Sequence, residues 1–375
     1  MQQLWTRSSR SISDRNASHR PGPCFVLSRT GGPSRVGLLV AVAAIAVAAA
    51  LAPAPASASL TATFFSSDTA AGKIVIAGND GSGSRILAGP RGLSSVSPDD
   101  TRVAATDFDE RYENRKLELF ASAGGAPTHV IDVNCARVYW SPDSSKLACD
   151  EANDTGKAGH LLLIDATTAA TTTLATGFFD GQVSFSPDSK QLAYVQTAIA
   201  RYWNNKGKLR LIDLATRAIT TVRGSGAWAP VWGPRAIAFS TVKPRGRNYT
   251  FNVAVVQPDG SGFRQLTHFR PTTELYGPFP VAWSADGKRL LAGIAGLDAW
   301  TFRESYAIDP IRGGSRLIAH SVAPSAFSRD GRYVIGQTGD AETSGLSRSN
   351  IVRVPWTGGK KSVLLRHAVE ASFNG

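Results

Sequence analysis

The chain has 375 residues and a formal charge of +12, with 36 Gly, 20 Pro and one Met. That length suffices for a large core, and Gly and Pro set between many short apolar runs point to an all-β protein. The positive charge is not a nucleic-acid signature, because neither a basic helix nor a zinc-ligand pattern accompanies it.

Residues 1 to 35 carry six Arg (Arg7, Arg10, Arg15, Arg20, Arg29, Arg35) against one acid, Asp14. Val36 to Ala52 follows as an uncharged Ala/Val/Leu run of 17 residues, and Ala56-Ser57-Ala58 supplies a small-x-small site. Basic, apolar and small-residue segments in that order predict a secretory signal cut after about Ala58. The run is marginal against the roughly 20 apolar residues of a membrane span, which leaves an uncleaved anchor as the alternative. Without the leader, residues 59 to 375 keep a charge of +7. Cys24 leaves with it, whereas Cys135 and Cys149 flank one hairpin of an exported chain. They are expected to form a disulfide, or else to remain two thiols. No Cys/His cluster has metal-ligand spacing, and neither metal nor cofactor is implied.

From residue 96 onward one phrase repeats. A bulky apolar residue enters a tight polar turn at Val96-Ser97-Pro98-Asp99, Trp140-Ser141-Pro142-Asp143 and Phe185-Ser186-Pro187-Asp188. It recurs in shortened form at Trp232-Gly233-Pro234, then at Trp283-Ser284-Ala285-Asp286 and Phe327-Ser328-Arg329-Asp330. Successive anchors lie 44, 45, 47, 51 and 44 residues apart. Ser at the first position of a type I turn, Pro at the second and Gly at the fourth (Gly287, Gly331) suit a hairpin, and Asp at the third stiffens it. The repeated Asp is therefore a structural residue before it is a catalytic one.

A second hairpin follows each of these: Leu117 to Ile131, Leu161 to Leu174, Leu209 to Val222, Val253 to Leu266, Tyr306 to Ile318 and Ile351 to Leu365. One more, Ile74 to Leu87, precedes the first anchor, so seven outer hairpins face six complete inner ones. Val369 to Asn374 aligns with Pro324 to Ser328, and Asn374 lies 46 residues after Ser328. The C-terminal strand is thus expected to complete the N-terminal blade. A four-stranded unit of roughly 45 residues repeated in this way predicts a β-propeller of antiparallel blades, seven favoured over six, as one domain over 59 to 375. The bulky residue before each turn, Phe373 included, is expected to pack between neighbouring blades.

Trp140-Ser141-Pro142-Asp143 with Leu147-Ala148, and Phe185-Ser186-Pro187-Asp188 with Leu192-Ala193, resemble the repeats of TolB-type, WD-repeat-like propellers. The resemblance spans nearly all of the chain after the leader and implies the propeller fold. The propellers of the prolyl oligopeptidase group look similar too, but they accompany a hydrolase domain, and no Gly-x-Ser-x-Gly elbow is present.

In such a blade the tight turns share one face, and the long loops emerge on the other: Asp107 to Lys116, Arg201 to Lys208, Lys243 to Thr250, His268 to Pro280, Gly296 to Arg303 and Gly339 to Ser349. Binding residues are usually displayed on loops held by a rigid scaffold. Arg201, Tyr202, Trp203, Arg245, Arg247, Tyr249, Tyr276, Trp300 and Arg303 are the candidate ligand contacts, since aromatic and Arg side chains form protein hot spots and suit sugar rings. No catalytic set stands out: the six His residues are scattered, and Asp107-Phe108-Asp109-Glu110 lacks the alternation and Gly turn of a calcium loop. The sequence therefore describes an exported, non-catalytic propeller, periplasmic, cell-surface or extracellular. It is expected to be a monomer that binds a protein or cell-envelope component through its long-loop face and meets a membrane only through its signal or anchor. A propeller enzyme acting on a carbohydrate or small metabolite at the central channel is one alternative, and a structural surface protein the other.

Overall fold

The computed structural model describes residues 60–64, 72–78, 80–91, 93–107, 116–135, 138–151, 158–179, 182–198, 207–245, 248–270, 275–296, 302–339 and 349–373. All lie in the second of two compact units, Pro53–Gly375. Regular structure within them is entirely β, paired antiparallel throughout.

The strands group as the period demands. β1 (Leu60–Phe64), β2 (Gly72–Ala77) and β3 (Arg85–Arg91) come first. β4 (Ser94–Val96), β5 (Arg102–Asp107), β6 (Lys116–Ala121) and β7 (His129–Ile131) make a four-stranded sheet in chain order. β8 (Tyr139–Trp140), β9 (Lys146–Asp150), β10 (Gly159–Asp165) and β11 (Thr171–Phe179) follow. Next come β12 (Ser184–Phe185), β13 (Gln191–Thr197), β14 (Lys208–Asp213) and β15 (Ile219–Arg223). These two runs share one sheet only because Phe178 and Phe179 of β11 pair with Thr197 and Gln196 of β13.

Three further four-stranded sheets keep chain order. The first is β16 (Ala227–Trp232), β17 (Ile237–Arg245), β18 (Asn248–Val256) and β19 (Arg264–Gln265). The second is β20 (Leu275–Trp283), β21 (Leu290–Gly296), β22 (Phe302–Ile308) and β23 (Ser315–His320). The third is β24 (Ala323–Phe327), β25 (Tyr333–Thr338), β26 (Asn350–Pro355) and β27 (Ser362–Arg366). The last strand, β28 (Ala368–Phe373), pairs with β1 and gives the order β28-β1-β2-β3.

The repeated turn explains itself atom by atom. The Ser hydroxyl donates to the Asp carboxylate two residues on, at 2.6 Å for Ser141, Ser186 and Ser328 and 2.7 Å for Ser284. The same oxygen accepts the N–H that starts the next strand, 2.9 Å from Lys146, Gln191, Arg289 and Tyr333. The fourth residue closes the turn in a left-handed conformation: φ is 67° at Gly287 and 66° at Gly331, but also 60° at Ser144 and Ser189. An L side chain there costs roughly 1–2 kcal/mol. The two serines use the position: Ser144 Oγ accepts Asp99 N–H at 3.0 Å, and Ser189 Oγ accepts Asp143 N–H at 3.2 Å. Each of these two serines thereby caps the turn of the preceding four-strand run.

The hydrophobic core lies between consecutive sheets. Val96 packs with Ile74, Ile76, Val103 and Phe120, and Phe185 with Leu161, Leu163, Leu192 and Tyr194. Trp140 packs against a cluster that includes Ala104, Leu117, Leu147 and Leu162. The indoles of Trp140 and Trp283 also donate backward, to Ser95 O at 3.1 Å and Val231 O at 3.0 Å. At the shortened anchor, a Cβ on Gly233 would lie 2.5 Å from the Trp283 ring, so the ring occupies the space of a Ser side chain. The bulky residues before the turns are thus the inter-sheet packing; the side chain of Phe373 lies outside the described residues.

Arginines add a second set of clasps. Arg102 donates to Ala166 O (2.8 Å) and Ser144 O in the next sheet and lies over Trp140, 5.4 Å from the ring centre. Arg289 repeats this on Gly331 O (2.6 Å), Phe327 and Trp356. Farther out, Arg85 donates to Ser122 O, Arg264 to Pro310 O and Ile311 O, and Arg316 to Trp356 O and Thr357 O. β28 lies against both β24 and β4, and Ala368 packs with Ala77, Ile335, Ile351 and Leu365.

Candidate ligand-binding edge

The turn anatomy separates two edges of every sheet. At one edge sit the Ser-x-Asp turns and the short turns between third and fourth strands; the other carries the long connections. Arg201, Tyr202, Trp203, Arg247 and Trp300 lie in those connections, outside the described residues. Arg245, Tyr249, Tyr276 and Arg303 are placed by strands: at the end of β17, the start of β18, the start of β20 and the start of β22. All four therefore stand at the long-connection edge of two neighbouring sheets.

Lys243 to Thr250 is not the loop that the sequence suggested. β17 and β18 continue pairing through Lys243 with Thr250, Pro244 with Tyr249 and Arg245 with Asn248. Pro244 hid this hairpin, because Pro is out of place in a central strand. Here β16 stops pairing at Thr241, so Pro244 has a strand partner on one side only.

Beneath this edge the sequence reading missed an aromatic cluster. Trp228 meets Phe251 and Phe279 edge-on, with ring centres 5.5 and 5.6 Å apart. Gly277 lets β20 approach: with φ at 123°, a Cβ there would lie 2.3 Å from Phe251 O. The connection after β19 is tied down by buried Asn252, whose Oδ1 accepts from Phe269 N at 2.6 Å and from the Thr267 hydroxyl at 3.0 Å. His268 is exposed beside this staple, 3.2 Å from Gln265 Nε2. The segment that follows β19 is thus held at Thr267 and Phe269.

A polar trio lies in the same sheet as Arg303. Tyr306 donates to Glu304 Oε2 at 2.6 Å, and His320 Nδ1 lies 2.9 Å from Glu304 Oε1. Burial and the Glu304 carboxylate both push the Tyr306 hydroxyl pKa up, so it remains a neutral donor. His320 is 72% exposed and Glu304 19%, which leaves the imidazole as the presented group. Alternation alone puts Glu304 and Tyr306 on one strand face, but only the register of β22 with β23 sets His320 opposite Glu304. Among the described residues, no three His, Cys, Asp or Glu side chains gather as a metal site.

Cys135 and Cys149 are joined as a disulfide, Cα atoms 5.9 Å apart. It ties the segment after β7 to β9, next to the isolated bridge between Cys135 and Glu151.

No protein-family model and no curated protein matches the sequence. Solved structures do. An oligogalacturonate lyase in complex with manganese is 16% identical over 83% of this chain and 86% of its own, with a TM-score of 0.55. TolB from Acinetobacter baumannii is 15% identical over 84% and 82%, with a TM-score of 0.51. A puromycin-hydrolyzing peptidase from Mycobacterium tuberculosis is 18% identical over 84% of this chain, with a TM-score of 0.54, and the chain spans 55% of that protein. Such identities establish architecture alone, and the architecture is that of the TolB-like β-propellers.

Proposed function

We propose that residues 59 to 375 form one seven-bladed propeller, its ring closed by β28 on β1, and that the protein is exported after loss of residues 1 to 58. It binds a protein or cell-envelope component through the long-connection edge and carries out no catalysis there. The observation that carries this reading is a division of labour. The repeated polar residues at the turn edge are consumed by capping and clasping neighbouring sheets. The irregular residues, Arg245, Tyr249, Tyr276 and Arg303, belong to strand ends at the other edge, and Trp228, Phe251 and Phe279 pack together in the same two sheets. Aromatic and Arg side chains on a rigid support are the usual composition of a binding hot spot.

The test is capture from the native envelope fraction. Replacing Tyr202, Trp203 and Arg247 by Ala is expected to abolish retention of the partner without lowering the unfolding midpoint. Retention equal to that of the unaltered protein refutes the assignment of this edge.

A further inference from the structure

The turn edge is not electrostatically uniform. In the turns of the β20–β23 and β24–β27 sheets stand Lys288, Arg289, Arg312, Arg316, Arg329, Arg332, Lys360 and Lys361, against Asp286, Asp309 and Asp330: eight cations and three anions, a net of five positive. The corresponding turns of β8–β15 carry Lys146, Lys190 and Arg217 against Asp143, Asp165, Asp188 and Asp213, a net of one negative. The charge of this face is thus concentrated in one sector.

The cations of that sector outnumber its carboxylates, and few of them form close ion pairs. Asp286, Asp309 and Asp330 are occupied by N–H and O–H donors of their own turns, including Lys288 N, Ile311 N, Arg312 N and Arg332 N. Arg329 pairs with Asp100 at 3.2 Å, and Arg332 lies 3.9 Å from Asp330. Among the described residues, Lys288, Arg289, Arg312, Arg316, Lys360 and Lys361 have no carboxylate within 4.0 Å. Between the two sheets opens a groove of about 450 Å³ whose charged lining is Lys288, Arg289 and Arg316 with one carboxylate, Asp309, and whose wall includes Trp356. Beside it, Ile311 is 65% exposed, the most exposed large hydrophobic side chain among the described residues.

We infer that this sector docks onto an anionic phospholipid surface. The turn tips of these two sheets carry Lys288, Arg312, Lys360 and Lys361, and Ile311 protrudes from the turn that bears Arg312. Clustered Lys and Arg are attracted to an anionic leaflet by about 1 kcal/mol each. An apolar tip gains further by entering the interface. A soluble polyanion would gain from the charges and nothing from Ile311. Binding here would leave the opposite, long-connection edge facing away from the membrane. The sequence assigned membrane contact to the leader alone; this sector is a second and independent route.

The experiment uses the full chain with Cys24→Ser and an environment-sensitive fluorophore on either Thr357→Cys, within the sector, or Ala215→Cys, on the same edge across the molecule. Vesicles are phosphatidylcholine alone or with one third phosphatidylglycerol. The Thr357 probe is expected to shift to a nonpolar signal only with the anionic vesicles, and the Ala215 probe to remain aqueous. Neutralising Lys288, Arg312, Lys360 and Lys361 to Gln should weaken that response by on the order of 100-fold or more. Ile311→Asp should weaken it with the cations intact. Equal responses at the two probes, an unaltered response in the Gln variant, or binding of polyphosphate with no response to vesicles would each overturn the proposal.

Discussion

Arg102→Met removes one clasp and keeps most of its apolar stem. The guanidinium gives two hydrogen bonds to carbonyls of the next sheet, Ser144 O and Ala166 O, both on buried residues, and covers the Trp140 ring. A hydrogen bond from a charged donor contributes about 1.5–3 kcal/mol, discounted here because the side chain is only half-buried, and a partly exposed cation–π contact about 0.5–1 kcal/mol. The loss on Arg102→Met should therefore be about 3 kcal/mol. Arg102→Lys keeps the charge but forms one of the two bonds, and should lose about half as much. The assay is urea denaturation, read as a lower midpoint at unchanged slope. Arg217→Met, at an exposed turn residue, is the control and should stay within about 0.5 kcal/mol of wild type. An Arg102→Met loss no greater than the control's would refute the clasp and with it the structural reading of the turn edge.

Ser144→Ala should cost about 1 kcal/mol through the lost Asp99 cap, whereas Ser144→Gly recovers left-handed strain and should lie close to wild type; thermal unfolding ranks the two. Gly233→Ala forces a Cβ to 2.5 Å from the Trp283 ring and should lower stability by roughly 1–3 kcal/mol, measured in the same denaturation assay. Replacing Cys135 and Cys149 with Ser opens a loop with a sequence separation of 14 and should cost about 3 kcal/mol in the chain-entropy description; reductant should lower the wild-type melting temperature and leave the variant's unchanged. Asp143 is partly buried, which raises its pKa, but hydrogen bonds from Ser141 and Ser145 outweigh this and hold it near 2, below the ordinary 3.8. A depressed folded pKa gives stability that is present above pH 4 and lost as pH falls toward 2, so Asp143→Asn should flatten the acid limb of the stability curve over that window.

The fold was legible because its unit is short and its period regular. Ser141, Ser186, Ser284 and Ser328 mark equivalent turns, and the alignment of Val369 to Asn374 with β24 anticipated that β28 would pair with β1. What the sequence concealed depends on register and on neighbouring sheets. His320 meets Glu304 because β22 and β23 pair at that step, and Trp228 meets Phe279 because β16 and β20 are adjacent. Pro244 disguised a hairpin as a loop. The basic sector was invisible for a related reason: Lys288 and Arg316 are distant in sequence and converge on one groove only when successive turns stand side by side. The turn edge, set aside as structural, contains a groove between the β20–β23 and β24–β27 sheets.

Hydrogen–deuterium exchange of the protein alone and with its captured envelope partner tests the division of labour most directly. The account predicts new protection at residues 243–250, 275–277 and 302–304, with the turns at 97–102, 141–146 and 186–191 unchanged. Protection confined to those turns, with the long-connection edge unaltered, would contradict it.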